Sequence, residues 1–384
     1  MRGHIVKRGK SSYTVVLNMG IDPTSGKRKQ QWVSVKGNKK DAEKRLSEML
    51  HQIDTGSFMR PGKTTVADFL ERWIEDHQRN LSPRAAERYG RIVRTHLVPN
   101  FGNITLTQLK PEHLQKVYAA MQKQGLSPRT VRYHHAVMHV ALKTALKWGL
   151  IVRNPADAVD PPKIHRNDMQ TWDEQEINQF LEGAKETPYY TLFYTVLFTG
   201  MRRSELLGLK WSDVDLIQPQ VSVSRSLHQL TDGSFVFTEP KSAKSRRNIA
   251  LTPSNALLLK EHQEKQRLDR AMLGMGWSND DLVFGTLDGK PRIPDTITKV
   301  WERLAAHAGV KVIRFHDARH THASLWLKLG IHPKIVQERL GHASIQMTLD
   351  TYSHVAPGLQ EAAALRFDEL VVPKRENQAV AEVG

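Results

Sequence analysis

Hydrophobic positions change period along this chain. Near the start Tyr13, Val15 and Leu17 alternate with polar or smaller neighbours, and Gln30 to Val35 is a second β-rich run. A period of two is that of a strand with one buried face. Asp22-Pro23-Thr24-Ser25-Gly26 between them carries turn chemistry, which predicts a hairpin with Lys27, Arg28 and Lys29 near its tip. The period then becomes helical. Asn38, with Asp41 three residues on, can start a helix whose one face carries Ala42, Leu46, Met49, Leu50 and Ile53. A small sheet covered by a helix is expected, ending near Gly56.

From Thr65 the pattern is purely helical, with Val66, Phe69, Leu70, Trp73 and Ile74 on one stripe. Ser82-Pro83 and Ser127-Pro128 each open another helix, since serine caps an N-terminus and proline fits the first helical position. The second carries Val131, Met138, Ala141, Leu142 and Ala145 on its apolar side. A four- or five-helix bundle over about 64–158 follows. Asn154-Pro155 and Asp160-Pro161-Pro162-Lys163 break the periodicity, and Thr171-Trp172-Asp173-Glu174 reads as a capping box opening a new helix. Beyond it lie helices, three short strands near 219–226, 233–238 and 246–251, then helices to the end. The expected fold is multidomain, mainly α with small β-sheets: a three-stranded sheet plus helix (1–60), a helical bundle (64–158), a linker (159–170), an α+β domain (171–371) and a tail (372–384).

Length and composition support that division, because 384 residues exceed one ordinary domain and 39% hydrophobic content is globular. Charge adds a partner. Lys and Arg number 56 against 40 Asp and Glu, for a net +16 and a pI near 9.9, which suggests a polyanion. Half of that excess sits in residues 1–60, with 13 Lys and Arg against 5 Asp and Glu. No cysteine is present, so disulfides, thiolate nucleophiles and Cys-based zinc sites are excluded. The basic N-terminus has no apolar run after it and does not read as a secretory signal. The longest apolar stretch, about Tyr189 to Met201, is too short for a bilayer that requires roughly 20 residues. A soluble cytoplasmic protein is expected, with no membrane partner.

The last third holds the chemistry. Thr199-Gly200-Met201-Arg202-Arg203-Ser204-Glu205 places an arginine after a glycine break at a helix start. Phe315-His316-Asp317-Ala318-Arg319-His320-Thr321-His322 sets His316 and Arg319 three apart, on one face if helical. A guanidinium offers a fixed fork of donors to a phosphate, and an imidazole moves protons near neutral pH. Leu340-Gly341-His342 and Thr351-Tyr352-Ser353-His354 follow. Taken singly, Arg202 matches any surface arginine and Tyr352 any core tyrosine. His316 and His320 also sit near a zinc-protease spacing, with His322, His342 or His354 as a third ligand, but an arginine beside a divalent cation weakens that reading. Gly285 to Lys290 is one residue short of a phosphate loop, and Pro291 replaces its Ser or Thr.

Together these blocks resemble the tyrosine recombinase (phage integrase) family, in its order and at compatible spacings from about Gln170 to Gln360. The resemblance implies that Tyr352 attacks a scissile phosphate, that Arg202 and Arg319 bind its non-bridging oxygens, that His316 assists proton transfer and that His342 donates to the phosphate. Glu205 resembles the family's acidic residue on the arginine-box helix. The family's general acid is a lysine on a β-hairpin turn; in Glu239-Pro240-Lys241-Ser242-Ala243-Lys244, Lys241 matches it with serine replacing the usual threonine, and Lys244 is its rival. No metal, cofactor or energy source is implied.

The bundle resembles the family's core-binding domain, with Arg129, Arg132, Lys143 and Lys147 as candidate DNA contacts. The N-terminal module resembles an arm-type DNA-binding domain, with Lys27, Arg28, Lys29 and Lys36 reaching the duplex. That module favours integration and excision of a phage or conjugative element over chromosome-dimer resolution. Implied partners are double-stranded DNA with core and arm sites, three further protomers in a tetramer, and a host DNA-bending protein and excisionase. A catalytically silent DNA-binding protein and a type IB topoisomerase-like enzyme are the alternatives.

Overall fold

The computed structural model describes residues 3–21, 28–54, 63–164, 169–239, 246–278 and 280–352, together with 364, 367, 368 and 371. Of residues 19–21, 28, 29 and 52 only the backbone is described. The chain resolves into two compact units, 1–166 and 167–384.

The first unit contains two separate apolar cores. Strands β1 (Gly3–Gly9), β2 (Ser12–Ile21) and β3 (Arg28–Lys36) form an antiparallel sheet in that order. Register pairs Ile5 with Val15 and Val15 with Val33, so these three share a face with Tyr13, Leu17 and Val35. Helix α1 (Lys39–Asp54) covers that face through Ala42, Leu46, Met49, Leu50 and Ile53. Asn38 and Asp41 cap it reciprocally: Asp41 N donates to Asn38 Oδ1 at 3.0 Å and Asn38 N to Asp41 Oδ2 at 2.9 Å. The hairpin turn at 22–26 and Lys27 lie outside the described residues.

The second core belongs to helices. These are α2 (Val66–His77), α3 (Pro83–Ile92), α4 (Val98–Phe101), α5 (Pro111–Lys123) and α6 (Pro128–Lys147). The stripe Val66, Phe69, Leu70, Trp73 and Ile74 is buried against Val131, Met138, Ala141, Leu142 and Ala145. Trp73 Nε1 donates to Thr144 Oγ1 at 3.2 Å, which satisfies the indole and ties α2 to α6. A π-helical turn, Val93–Leu97, joins α3 to α4 just ahead of Pro99, which has no N–H to continue an α ladder.

The second unit opens with α7 (Glu174–Ala184), α8 (Tyr190–Thr199) and the short α9 (Arg203–Leu207). The capping box of α7 lies two residues later than the sequence pattern suggested. Asp173 is the cap and Glu176 its partner, because Trp172 is drawn inward. Its backbone N–H donates to Thr321 Oγ1 at 3.1 Å, its indole to Lys311 O at 2.7 Å, and its ring stacks on Trp301 at 4.8 Å. Trp172, Trp301, Phe180, Phe193 and Phe315 form the centre of this core. Each such side chain, fully buried, contributes roughly 1.5–3 kcal/mol before entropy is counted.

The strands differ from expectation. The run near 219–226 is two strands in two sheets: β4 (Val214–Asp215), β5 (Gln220–Val223) and β8 (Arg247–Ala250) form one, while β6 (Ser226–Gln229) and β7 (Phe235–Thr238) form the other. The break has a cause at Asp213. Its carboxylate accepts from Ser224 Oγ at 2.7 Å and from Arg225 Nη1, pulling the chain out of the ladder. Helices α10 (Pro253–Met272), α11 (Pro294–His307), α12 (Asp317–Lys328), α13 (Pro333–Leu340) and α14 (Ile345–Tyr352) complete the unit. The apolar segment at 360–371 lies mostly outside the described residues; Phe367 and Val371 are exposed. Among the described residues no helix is long and apolar enough to cross a membrane.

Candidate active site

Two left-handed glycines shape this site. Helix α8 ends at Gly200 and α13 at Gly341, both with φ near +66°. A Cβ on Gly200 would lie 2.8 Å from His322 Cδ2 and from Leu340 Cδ2, so only glycine lets the end of α8 abut α12 and α13. The carbonyls around these turns converge on Arg319. Its Nη1 donates to Gly200 O at 2.9 Å and its Nη2 to Leu340 O. The side chain is 2% exposed, and two of its five N–H donors are engaged in these bonds.

Arg202 is the N-cap of α9, with Glu205 one turn on. Glu205 accepts from Arg202 N at 2.8 Å and from Arg202 Nη1 at 2.6 Å. From the far side Arg247, on β8, donates to it through Nη1 at 3.2 Å and Nη2 at 2.9 Å, and through Nε to Arg339 O at 2.6 Å. Burial raises the Glu205 pKa, but the Arg247 bonds and the charges of Arg247, Arg202 and Arg319 outweigh it and hold the carboxyl at about 2. Arg319 feels the opposite imbalance. Burial, followed by repulsion from Arg202, draws its pKa down to about 9. One carboxylate thus faces three guanidiniums in a water-poor pocket, an arrangement that attracts an anion and repels a divalent cation.

The histidines lie around this cluster in neutral form. His316 is the N-cap of α12 and is exposed, yet partial burial and Arg319 lower its pKa. His342, next to Gly341, is 8% exposed, and burial with Arg319 and Arg202 lowers it to about 3. Its Nδ1 lies 2.9 Å from Thr348 Oγ1. His322 is committed elsewhere, with Nδ1 at 2.9 Å from Leu197 O and Nε2 accepting from Arg339 Nε at 3.1 Å. Arg339 also reaches Phe198 O at 2.9 Å and Ala250 O at 3.0 Å and stacks over Trp326 at 4.3 Å, so it binds α8, β8, α12 and α13 together.

Tyr352 ends α14 and is completely buried among Ala323, Leu327, Val336 and Leu340. Its hydroxyl lies 2.7 Å from His320 Nδ1. Burial, only partly offset by Arg319, pushes its pKa up to about 12. Lys241 and Lys244 lie outside the described residues, between β7 and β8 in chain order. Arg202, Glu205, His316, Arg319, His342 and Tyr352 all belong to the second unit.

Sequence reading missed Arg247, Thr348 and Arg339, and weighed His320 only as a zinc ligand. Two had a signal: Arg247 shares a strand face with buried Ile249, and His320 follows His316 by one helical turn. In the first unit Arg129, Arg132, Lys143 and Lys147 are exposed on α6, and at 100° per residue they fall within an arc of roughly 60°. Lys36 is exposed on β3, where Trp32, half exposed, carries the Arg8 guanidinium over its ring at 5.8 Å. The side chains of Lys27, Arg28 and Lys29 are not described.

Residues 169–358 match the phage integrase family, and residues 65–130 match the phage integrase N-terminal SAM-like domain. A tyrosine recombinase XerC-like protein of Caldanaerobacter subterraneus subsp. tengcongensis is 26% identical over 386 residues, covering 96% of this chain and 98% of its own. The ICEBs1 integrase of Bacillus subtilis is 26% identical over 369 residues, covering 96% of this chain and 100% of its own. Among solved structures, the Tn1549 transposon integrase in complex with a circular intermediate DNA superposes with a TM-score of 0.67 at 21% identity, covering 80% of this chain and 100% of that one. A lambda integrase tetramer bound to a Holliday junction superposes at 0.57 and 15% identity, covering 92% and 95%.

Proposed function

The chain belongs to the phage integrase family of tyrosine recombinases, enzymes that cleave and rejoin DNA, and we propose that it carries out site-specific recombination with Tyr352 as nucleophile. The observation that carries the reading is the arginine cluster around buried Glu205, in the same unit as a buried tyrosine and histidines of lowered pKa. Tyr352 Oη attacks the scissile phosphorus, the bond to the 5′-oxygen breaks, and a 3′-phosphotyrosine forms. Arg202 and Arg319 bind the non-bridging oxygens, where negative charge builds in the transition state. His316 assists proton transfer. Thr348 Oγ1 lies 2.9 Å from His342 Nδ1; with the hydroxyl donating there, the His342 Nε2 proton is left for the phosphate. Lys241 protonates the leaving 5′-oxygen.

One phosphodiester is exchanged for another, so no energy source enters. The basic stripe on α6 and the open face of the N-terminal sheet around Trp32 and Lys36 hold the duplex at core and arm sites. Two duplexes present four strands to cut, hence a tetramer of this chain. A mobile element's integration and excision, with a host DNA-bending protein and an excisionase, is the setting this reading favours, in a cytoplasmic location.

A nicked suicide substrate bearing the attachment site tests it. A covalent protein–DNA adduct is expected on a denaturing gel for the wild type, in the presence of chelator. No adduct, or an adduct from Tyr352→Phe, would overturn the assignment.

A further inference from the structure

A fully enclosed phenol with a pKa near 12 holds its proton firmly, and attack on phosphorus requires that proton to leave. The ring is walled by Ala323, Leu327, Val336 and Leu340, none of which accepts a proton. The His320 Nδ1 atom lies 2.7 Å away, and in the tautomer protonated at Nε2 it is an acceptor. His316, one turn before it on α12, meets the His320 ring edge-on with centroids 5.1 Å apart, and is itself exposed. A line of imidazoles therefore runs from the buried hydroxyl to the surface. His320 is held neutral by burial, followed by the neighbouring His316, so its ring nitrogen is open to accept.

We propose that His320 is a further catalytic residue, the general base that takes the Tyr352 hydroxyl proton as the oxygen attacks. The idea rests on Tyr352 being the nucleophile. The Tyr352 O–H bond breaks as the O–P bond forms; the proton goes to His320 Nδ1, and the leaving 5′-oxygen is protonated separately. In rejoining, His320 returns the proton to Tyr352 as the 5′-hydroxyl displaces it. Transfer accompanies bond formation, because the phenol oxygen becomes acidic only as it joins phosphorus.

The test compares wild type, Tyr352→Phe, His320→Ala and His320→Asn on the nicked suicide substrate, with DNA binding measured for each. Asparagine places an acceptor oxygen near the Nδ1 position but cannot take a proton. Both His320 variants should bind DNA as the wild type does and form adduct about 100-fold more slowly or worse. Added imidazole should restore His320→Ala, and a 5′-bridging phosphorothiolate, whose leaving group requires no acid, should rescue neither variant. A wild-type rate for His320→Asn, failure of imidazole, or rescue by the phosphorothiolate would each refute a base at 320. Absence of a wild-type adduct, or an adduct from Tyr352→Phe, would instead strike the nucleophile assignment itself.

Discussion

Arg247 and Glu205 meet side by side, both terminal guanidinium nitrogens on the two carboxylate oxygens at 3.2 and 2.9 Å, with 6% and 4% of their side chains exposed. Breaking such a buried pair from one end leaves a charge without its counterpart and costs roughly 3–5 kcal/mol. Glu205→Gln should therefore lower the melting temperature markedly and slow adduct formation, since Arg202 loses its brace as well.

That pair also sets a pH dependence. The Glu205 carboxyl sits at about 2 in the fold against 4.5 as a free group. Its contribution is full above pH 4.5 and is lost as pH falls toward 2, by about 3 kcal/mol in total. Acid unfolding followed by circular dichroism should show the gap between wild type and Glu205→Gln narrowing through that window. A constant gap would mean that the carboxylate is not held ionised by its arginines.

Thr348→Val removes the hydroxyl that fixes the His342 ring while keeping its shape. Adduct formation should slow about 10- to 100-fold, the scale of a misaligned proton donor, with DNA affinity unchanged. Equal rates for the two proteins would show that His342 needs no such support.

Gly200→Ala tests the turn itself. A side chain at φ +66° costs about 1–2 kcal/mol in backbone alone, and the added Cβ meets His322 and Leu340 at 2.8 Å. A clear drop in thermal stability is expected, accompanied by lost cleavage, because Gly200 O holds Arg319.

For the DNA face, Arg132→Glu and Lys143→Glu should each weaken binding across unrelated sequences and flatten its salt dependence, as lost phosphate contacts do. Titration against duplexes at several salt concentrations measures both. An unchanged slope would place the duplex elsewhere.

Apolar stripes of the helices could be read from sequence because burial repeats with the period of the helix, as Val66 to Ile74 show. Arg202, Arg319 and Tyr352 stood out only as a set. What could not be read depends on partners distant in the chain. Nothing around 224 announces that Asp213 will seize Ser224 and Arg225 and split one strand into two. Thr171 has the chemistry of a cap, but Thr321, some 150 residues away, fixes Trp172 and moves the helix start to Asp173. The alternation of Arg247 with Ile249 marks a strand face but not the partner, Glu205, that folds against it. Its neighbour Arg246 is exposed and pairs with Glu239.

Arg319 does two jobs with one guanidinium. It fastens the end of α8 to the end of α13 through Gly200 and Leu340, and in the proposed reaction it grips the phosphate. The site is therefore riveted together by its own tool. An Arg319 variant will report assembly and chemistry at once, so its lost activity is no clean measure of either. In a screen for inactive alleles, position 319 should give unstable proteins, whereas Tyr352→Phe should give well-folded ones that still bind DNA.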